Sequence, residues 1–245
     1  MNFIIVIPAR YASTRLPGKP LVKINGKTML QRVYEKCCLA VKKKNIIVAT
    51  DSKKIADHCK KKKLNFLMTS KKCLTGTDRV AEVSKKIKRD FYINVQGDEP
   101  LIKVEDLIKI INYAKRNPNK IINAMCSIKN RIDYFNSNIP KLVFDNSKNL
   151  VYMSRAAIPS NKKNKFIKSY KQVCIYSFPR KMLKIFSNQK VKTLNEKIED
   201  IEILRFIDLG FKVKMIEVSE SSIAVDTKKD LMKVRRILNN EINRY

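Results

Sequence analysis

The chain has 245 residues, with 53 Lys and Arg against 22 Asp and Glu and a formal net charge of +31. Hydrophobic residues at 44% and charged residues at 31% fit a folded protein with a core rather than a disordered tail. The length suits one large domain or two small ones. Phe3 to Ile7, the apolar run near the N-terminus, is closed at once by Pro8, Ala9 and Arg10. It is too short for a signal-peptide core (about 7–15 residues) or a membrane span (about 20), so no membrane role and a cytoplasmic location are expected. The six cysteines (Cys37, Cys38, Cys59, Cys73, Cys126 and Cys174) have no Cys-x-x-Cys spacing and read as reduced thiols, not a zinc site. With His58 as the one histidine, His-dependent triads and multi-His metal sites are set aside.

Such a positive charge first suggests nucleic acid, but its distribution points elsewhere. The lysines spread through nearly every segment, and no stretch interleaves aromatics with Arg. No RNA-binding or zinc-finger spacing occurs, so no specific nucleic-acid partner is expected. Trp is absent and Lys, Asn and Ile are abundant, the pattern of drift toward AT-rich codons; a selected polyanion surface is the competing reading.

Taken in chain order, strand-length apolar runs alternate with helix-period segments. Asn2–Ile7 predicts a strand, Pro8 to Pro20 a long loop, and Met29–Val41 a helix after the Asn25-Gly26 turn. Ile46–Ala49 predicts a strand, Thr50-Asp51-Ser52 the cap of a helix to about Lys62, and Phe66–Met68 a short strand. Thr77–Ile87 is helical, Phe91–Val95 a strand and Val104–Ala114 a helix. Strands are then predicted at Ile121–Ile128, Leu142–Phe144, Leu150–Met153 and Val173–Phe178, one helix at Glu196–Leu209, a strand at Val213–Val218, and a last helix capped by Asp226-Thr227. The expected fold is α/β: a mainly parallel sheet flanked by helices. It forms one domain over residues 1–245, with an antiparallel insertion or dimer arm at about 129–172.

Neither common nucleotide signature is present. Gly26-Lys27-Thr28 ends like a P-loop but has Leu21 where the upstream glycine is required, and no Gly-x-Gly-x-x-Gly occurs. The loop after the first strand instead carries Arg10, Arg15 and Lys19 with Ser13, Thr14 and Gly18. In an open α/β sheet such a loop lines the ligand crevice, and this cation density suits a triphosphate; an ordinary basic surface loop is the alternative. Asn94-Val95-Gln96-Gly97-Asp98-Glu99-Pro100 also follows a strand, and Asp98 could hold a hard cation such as Mg²⁺, with helix capping as the competing role. Asp226 could be a second metal carboxylate or a helix cap. The amides of Thr75-Gly76-Thr77 precede a helix and could meet a polar ligand edge.

The stretch Ile7-Pro8-Ala9-Arg10-Tyr11-Ala12-Ser13-Thr14-Arg15-Leu16-Pro17-Gly18-Lys19-Pro20-Leu21 resembles that of the 3-deoxy-manno-octulosonate (Kdo) cytidylyltransferases. Val48-Ala49-Thr50-Asp51, Met68-Thr69, Gly76-Thr77-Asp78-Arg79, Asn94 to Pro100, Ser154-Arg155-Ala156 and Val225-Asp226-Thr227 match in the same order. The resemblance implies a nucleotidyltransferase fold, a homodimer, Mg²⁺, and cytidylyl transfer from CTP to the anomeric hydroxyl of Kdo with release of pyrophosphate, for lipopolysaccharide assembly. It implies Arg10, Lys19 and Asp98 as catalytic residues. Ala9, Arg10, Ser13, Arg15, Lys19, Thr75, Gly76, Thr77 and Gln96 would bind nucleotide. Arg155, Gln172, Tyr176 and Glu202 would bind the sugar, Arg155 through its carboxylate, and Asp98 and Asp226 would hold Mg²⁺.

Two of the departures from the family, Gln172 and Ile203, touch the presumed sugar pocket, and the phosphate and metal positions are intact. Gln172 stands where the family has His, Cys174 replaces a glycine, and Ile203 replaces a polar sugar contact; Cys73 and Thr75 replace a His and a Ser before the Gly-Thr pair. A cytidylyltransferase for a related acidic sugar therefore stays open. So does a nucleic-acid binder on a decayed enzyme scaffold, motivated by the charge.

Overall fold

A computed structural model of the chain describes residues 2–12, 16–219 and 223–242. The first half alternates as expected: β1 (Phe3–Ala9), the hairpin β2 (Lys23–Ile24) and β3 (Lys27–Thr28), α1 (Met29–Ala40), β4 (Ile46–Thr50), α2 (Lys53–Lys61), β5 (Phe66–Met68), α3 (Gly76–Lys86), β6 (Phe91–Val95) and α4 (Val104–Arg116). The second half adds β7 (Ile121–Ser127), α5 (Arg131–Phe135), β8 (Lys141–Phe144), β9 (Leu150–Ser154), β10 (Tyr170–Pro179), α6 (Arg180–Asn188), α7 (Leu194–Glu199), α8 (Leu204–Asp208), β11 (Val213–Glu217) and α9 (Lys228–Ile242).

The main sheet runs β11-β7-β10-β6-β1-β4-β5. β1 is parallel to β4 and β6, β4 to β5, and β11 to β7, whereas β10 is antiparallel to both β6 and β7. Only β10 therefore opposes the common direction on this path. β8 and β9 hang from β10 as an antiparallel insertion, where the sequence predicted the excursion. The chain moves outward from β1 through β4 to β5 and then returns to β6 on β1's other side, so the carboxyl ends of β1 and β6 flank a switch point where ligands of such sheets bind.

All seven β1 residues are buried, which is why that stretch reads as continuously apolar. Ile5 and Ile7 face a core shared with α1, α2 and α4, while Ile4 and Val6 face one shared with α3, α6 and α8. Ile5→Ala would cost roughly 2–5 kcal/mol, the range for a truncation at a site that cannot collapse. A third cluster joins Leu16, Ile24 and Met29 to Val225, Leu231, Val234 and Leu238, fixing α9 beside the loop after β1. All six thiols are free, and among the described residues no helix is long and apolar enough to cross a membrane.

One predicted element is corrected. The helix expected over Glu196–Leu209 is two helices, α7 and α8, broken at Asp200 with φ 51°. A continuous helix would send the Ile203 and Leu204 N–H groups to the carbonyls of Glu199 and Asp200. The Arg155 guanidinium takes both carbonyls, from Nε at 2.6 Å and Nη2 at 3.2 Å. The N–H of Leu204 bonds to the Ile201 carbonyl instead. Two short helices, α5 (Arg131–Phe135) and α6 (Arg180–Asn188), were not expected, although Leu183 and Phe186 give α6 one apolar face at helical spacing.

Candidate active site

Three chain segments meet at the switch point. The loop after β1 brings Arg10 and Lys19, the loop after β6 brings Gln96, Gly97 and Asp98, and the segment before α9 brings Asp226. The backbone N–H of Val225 donates to the carbonyl of Asp98 at 2.9 Å, which binds the second and third segments together. Gly97 lies so close to β1 that a Cβ there would stand 3.1 Å from the carbonyl oxygen of Pro8; a side chain would push the two loops apart.

Lys19 Nζ donates to Asp98 Oδ2 at 2.6 Å and to Asp226 Oδ1 at 3.0 Å. Burial acts to lower the Lys19 pKa, but the charges of Asp98 and Asp226 outweigh it and hold the ammonium above its ordinary value. Neither carboxylate serves as a helix cap. The N-cap of α4 is Lys103, and α9 begins with a reciprocal Thr227–Asp230 pair, with bonds of 2.8 and 3.2 Å. Both aspartates thus face a cation instead of a helix end.

A second wall forms at the start of α3. Thr75 and Asp78 make a capping box there. Arg79, fully buried, donates to Asp51 Oδ2 and to Thr69 Oγ1, both at 2.7 Å. The short motifs around Asp51, Thr69 and Arg79 therefore fix where α3 begins. Arg205 secures the same turn from the other side, with two 2.6 Å bonds to Glu196 and one of 3.1 Å to Asp78. Glu202 joins this wall to the β6 loop: Oε2 accepts the Thr77 N–H at 2.9 Å and Oε1 accepts from Gln96 Nε2 at 3.0 Å. Burial pushes the Glu202 carboxyl up, against the pull of the Thr77 N–H and the Thr75 hydroxyl. A Cβ on Gly76 would stand 2.7 Å from Gln96 Nε2, so glycine lets this amide close over the helix start.

These walls enclose a cavity of about 780 Å³ lined by Pro8, Ala9, Arg10, Ala12, Lys19, Pro20, Leu74, Thr75, Gly76, Gln96, Gly97, Asp98, Lys192, Asp200 and Glu202. A volume in this range suits a nucleotide-sized ligand. The family profile for cytidylyltransferases matches residues 4–216.

The chain belongs to the cytidylyltransferase family.

This cytidylyltransferase is 39% identical over 243 residues to a 3-deoxy-manno-octulosonate cytidylyltransferase of Fusobacterium nucleatum subsp. nucleatum, covering 96% of each chain. It is 37% identical over 237 residues to an 8-amino-3,8-dideoxy-manno-octulosonate cytidylyltransferase of Shewanella halifaxensis, covering 94% of this chain and 96% of that one. Among solved structures, a CMP:2-keto-3-deoxy-manno-octonic acid synthetase complexed with CTP superposes with a TM-score of 0.90 at 33% identity, over 98% of this chain and all of that one. The fold of this cytidylyltransferase is accordingly of the nucleotidyltransferase type, as the resemblance implied.

Of the residues expected at the site, Ala9, Arg10, Lys19, Thr75, Gly76, Gln96, Asp98 and Glu202 line the cavity. Asp226 reaches it through Lys19, and Thr77 through its N–H to Glu202. Ser13 and Arg15 lie outside the described residues. Arg155, Gln172 and Tyr176 are not brought to the cavity lining. Gln172 spends its amide on Asn123 Oδ1 at 2.9 Å, bracing the buried Asn123, whose Nδ2 donates to the Val173 and Ile175 carbonyls at the β10 bulge. Tyr176 is buried, with its hydroxyl pushed well above the ordinary range by burial and by Cys174. Arg155 holds the α7 end described above. Ile203, expected where a sugar contact had been lost, lies 1% exposed in the core. Sequence reasoning missed Lys192 and Asp200, paired at 2.6 Å on the cavity wall. Lys192 is one lysine among many, and the Asp200 position depends on a helix break that the sequence did not announce.

Proposed function

We propose that this chain transfers the cytidylyl group of CTP to the anomeric hydroxyl of Kdo, forming CMP-Kdo and pyrophosphate for lipopolysaccharide assembly. The observation that carries this reading is the Lys19 ammonium held between Asp98 and Asp226 in the cavity that Thr75, Gly76 and Gln96 border. The sugar hydroxyl loses its proton to solvent and its oxygen bonds to the α-phosphorus of CTP while the bond to the bridging oxygen of the β-phosphate breaks, and pyrophosphate leaves. Arg10 and Lys19 bind the triphosphate and stabilise the charge that builds up on it, and Ser13 and Arg15 are proposed as further nucleotide-binding residues. Thr75, Gly76 and Thr77 border the cytosine with Gln96. Glu202 fixes the spacing between that edge and the Asp98 loop. Such chemistry is mostly positioning and electrostatics.

Asp98 and Asp226 would hold Mg²⁺. Two hard carboxylates already converge on one cation here, and Mg²⁺ takes one or two carboxylates with the remaining positions filled by phosphate and water. When bound, the ion would neutralise phosphate charge and lower the pKa of the attacking hydroxyl. The chain acts as one catalytic domain in the cytoplasm and as a homodimer, with the insertion at about 129–172 as the arm. Ile132 and Ile167, 81% and 79% exposed, support that placement of the contact.

A second reading, a related acidic sugar as acceptor, is supported by Gln172 being committed to the sheet and by the amino-sugar relative of nearly equal similarity. Pyrophosphate release tests both. CTP with Kdo should release it, while ATP, GTP and UTP should not. Release with 8-amino-3,8-dideoxy-manno-octulosonate alone would replace Kdo as acceptor, and silence with every acidic sugar would overturn the transferase reading.

A further inference from the structure

We infer that Asp230 is a positioning residue for Asp226, and that α9, seated on the β2–β3 hairpin, is the element that holds this second carboxylate against Lys19. The inference rests on the proposed transfer, in which Asp226 would hold Mg²⁺. The two carboxylates reach the centre by different routes. Asp98 lies just past the end of β6 and takes its place from the sheet. Asp226 has no strand behind it, because among the described residues between β11 and α9 none belongs to a helix or strand. Its place has to come from α9.

Asp230 makes that connection. Its Oδ2 accepts from the N–H of Asp226 at 3.2 Å, from the N–H of Thr227 at 2.8 Å and from the Thr227 hydroxyl at 2.7 Å. The helix cap proper is the Thr227 oxygen accepting from the Asp230 N–H at 3.2 Å. The bond from the Asp226 N–H lies outside the helix and fixes the backbone from which the Asp226 carboxylate hangs. On the other flank the Val225 N–H is held by the Asp98 carbonyl at 2.9 Å.

The helix is itself seated on the segment that carries Lys19. Leu231, Val234 and Leu238, at helical spacing, pack with Leu16, Ile24 and Met29. Arg235 Nη2 donates to the Lys23 carbonyl and Asn25 Nδ2 donates to Asn239 Oδ1, both at 2.7 Å. The hairpin is anchored in turn by Arg32, whose Nε and Nη2 donate to the Ile24 and Asn25 carbonyls at 2.8 and 3.0 Å. At its base the Val22 N–H bonds to the Lys19 carbonyl at 3.2 Å. Lys19 and Asp226 therefore project from one braced base, and that base sets their 3.0 Å contact.

The test is a mutant cycle of Asp230→Ala with Asp226→Asn, read with CTP, Kdo and Mg²⁺. Misplacing a group of the reaction centre by about 1 Å can cost about 10²-fold, so Asp230→Ala should lower kcat about 10–100-fold with the CTP KM within about threefold. In the Asp226→Asn background it should change kcat by no more than about twofold. Asp230→Asn keeps an acceptor oxygen and should recover most of the loss. Thr227→Val removes the cap oxygen but keeps the bond from the Asp226 N–H; it should lower the melting temperature with kcat within about threefold. Arg235→Met loosens the seat of α9 and should show the same dependence on Asp226 at about a two- to fivefold scale, which carries the test if Asp230→Ala does not fold. Mn²⁺ binding by electron paramagnetic resonance, on nucleotide-free Lys19→Met protein, reads the cycle without turnover. There Asp230→Ala should weaken binding about tenfold with Asp226 present and leave it unchanged with Asn at 226. An equal loss with and without Asp226 in either readout, no Mn²⁺ binding at all, or a kcat loss in Thr227→Val as large as in Asp230→Ala would overturn the inference. A wild type that turns over no acidic sugar would overturn the transferase reading instead, and the Mn²⁺ cycle would still decide the role of Asp230.

Discussion

The Lys19 centre on the cavity wall and the polar residues away from it, around β10 and the end of α7, are built on opposite principles. At the Lys19 centre, charged side chains point at each other across three chain segments: Lys19 binds Asp98 and Asp226. On the other side the conspicuous polar residues are spent on the fold. Arg155 ends α7, Gln172 braces Asn123, and Glu99 accepts the Cys174 N–H at 3.0 Å, tying the loop after β6 to β10. In the first region charges meet one another; in the second they meet carbonyls, a backbone N–H and a buried amide.

The sharpest way to break this contrast is Asp98→Ala, which should lower kcat about 10³-fold while leaving the circular dichroism and cooperative melting of a folded protein; losing one electrostatic group of a reaction centre typically costs about 10²–10³. Full activity in that variant would remove Asp98 from the chemistry. Lys19→Met should lower kcat about 10²–10³-fold for the same reason. It should also let nucleotide-free protein bind Mn²⁺ more tightly by electron paramagnetic resonance, because two carboxylates would lose their internal counter-ion. Unchanged Mn²⁺ affinity would mean that Lys19 does not occupy the cation position.

A smaller effect is expected where the two walls join. Glu202→Gln keeps the shape but weakens the bond from the Thr77 N–H, and kcat/KM for CTP should fall about tenfold, equivalent to ~1.4 kcal/mol. A change confined to the sugar KM would tie Glu202 to the sugar instead.

The remaining effect lies under the arm and is read on stability, not on activity. Burial and the nearby Arg155 charge lower the Lys141 pKa to about 8, against a partial pull from Glu199. Between about 8 and the ordinary 10.5 the unfolded chain holds the proton that the folded one has released. Stability from this site should therefore rise with pH across that window and be flat below it. Urea unfolding at pH 7 and pH 9.5 should show a smaller gain in Lys141→Met than in wild type; equal gains would refute the assignment. The bonds from Lys141 Nζ to the Asn136 and Arg155 carbonyls, 2.9 and 2.5 Å, survive deprotonation because a neutral amine keeps two N–H groups.

What the sequence disclosed follows the same division. Apolar runs such as Phe3–Ala9 and Phe91–Val95 place their own strands, and the loops at their carboxyl ends fall at the switch point by topology alone. Arg10, Lys19 and Asp98 were therefore legible. Asp226 read from its own residues as a helix cap or a metal carboxylate, and it was the resemblance that implied the metal; in the structure Thr227 pairs with Asp230 at the start of α9. The break between α7 and α8 was not legible, because the periodicity of Glu196–Leu209 is helical throughout. The residue that breaks it, Arg155, lies 44 positions away from Glu199 in the chain. Lys192 was hidden for a different reason: in a chain with 53 basic residues, one more lysine carries no signal until the cavity is drawn around it.

The central claim is that Asp98, Asp226 and Lys19 form the centre of cytidylyl transfer to an acidic sugar. The most direct test is ³¹P NMR of CTP, Kdo and Mg²⁺ with wild type and with Asp98→Ala. Wild type should convert CTP into one sugar-linked cytidylyl phosphodiester and one pyrophosphate in equal amounts, and Asp98→Ala should leave CTP intact. Conversion by Asp98→Ala at the wild-type rate, or CTP cleavage by wild type without a phosphodiester product, would contradict the account.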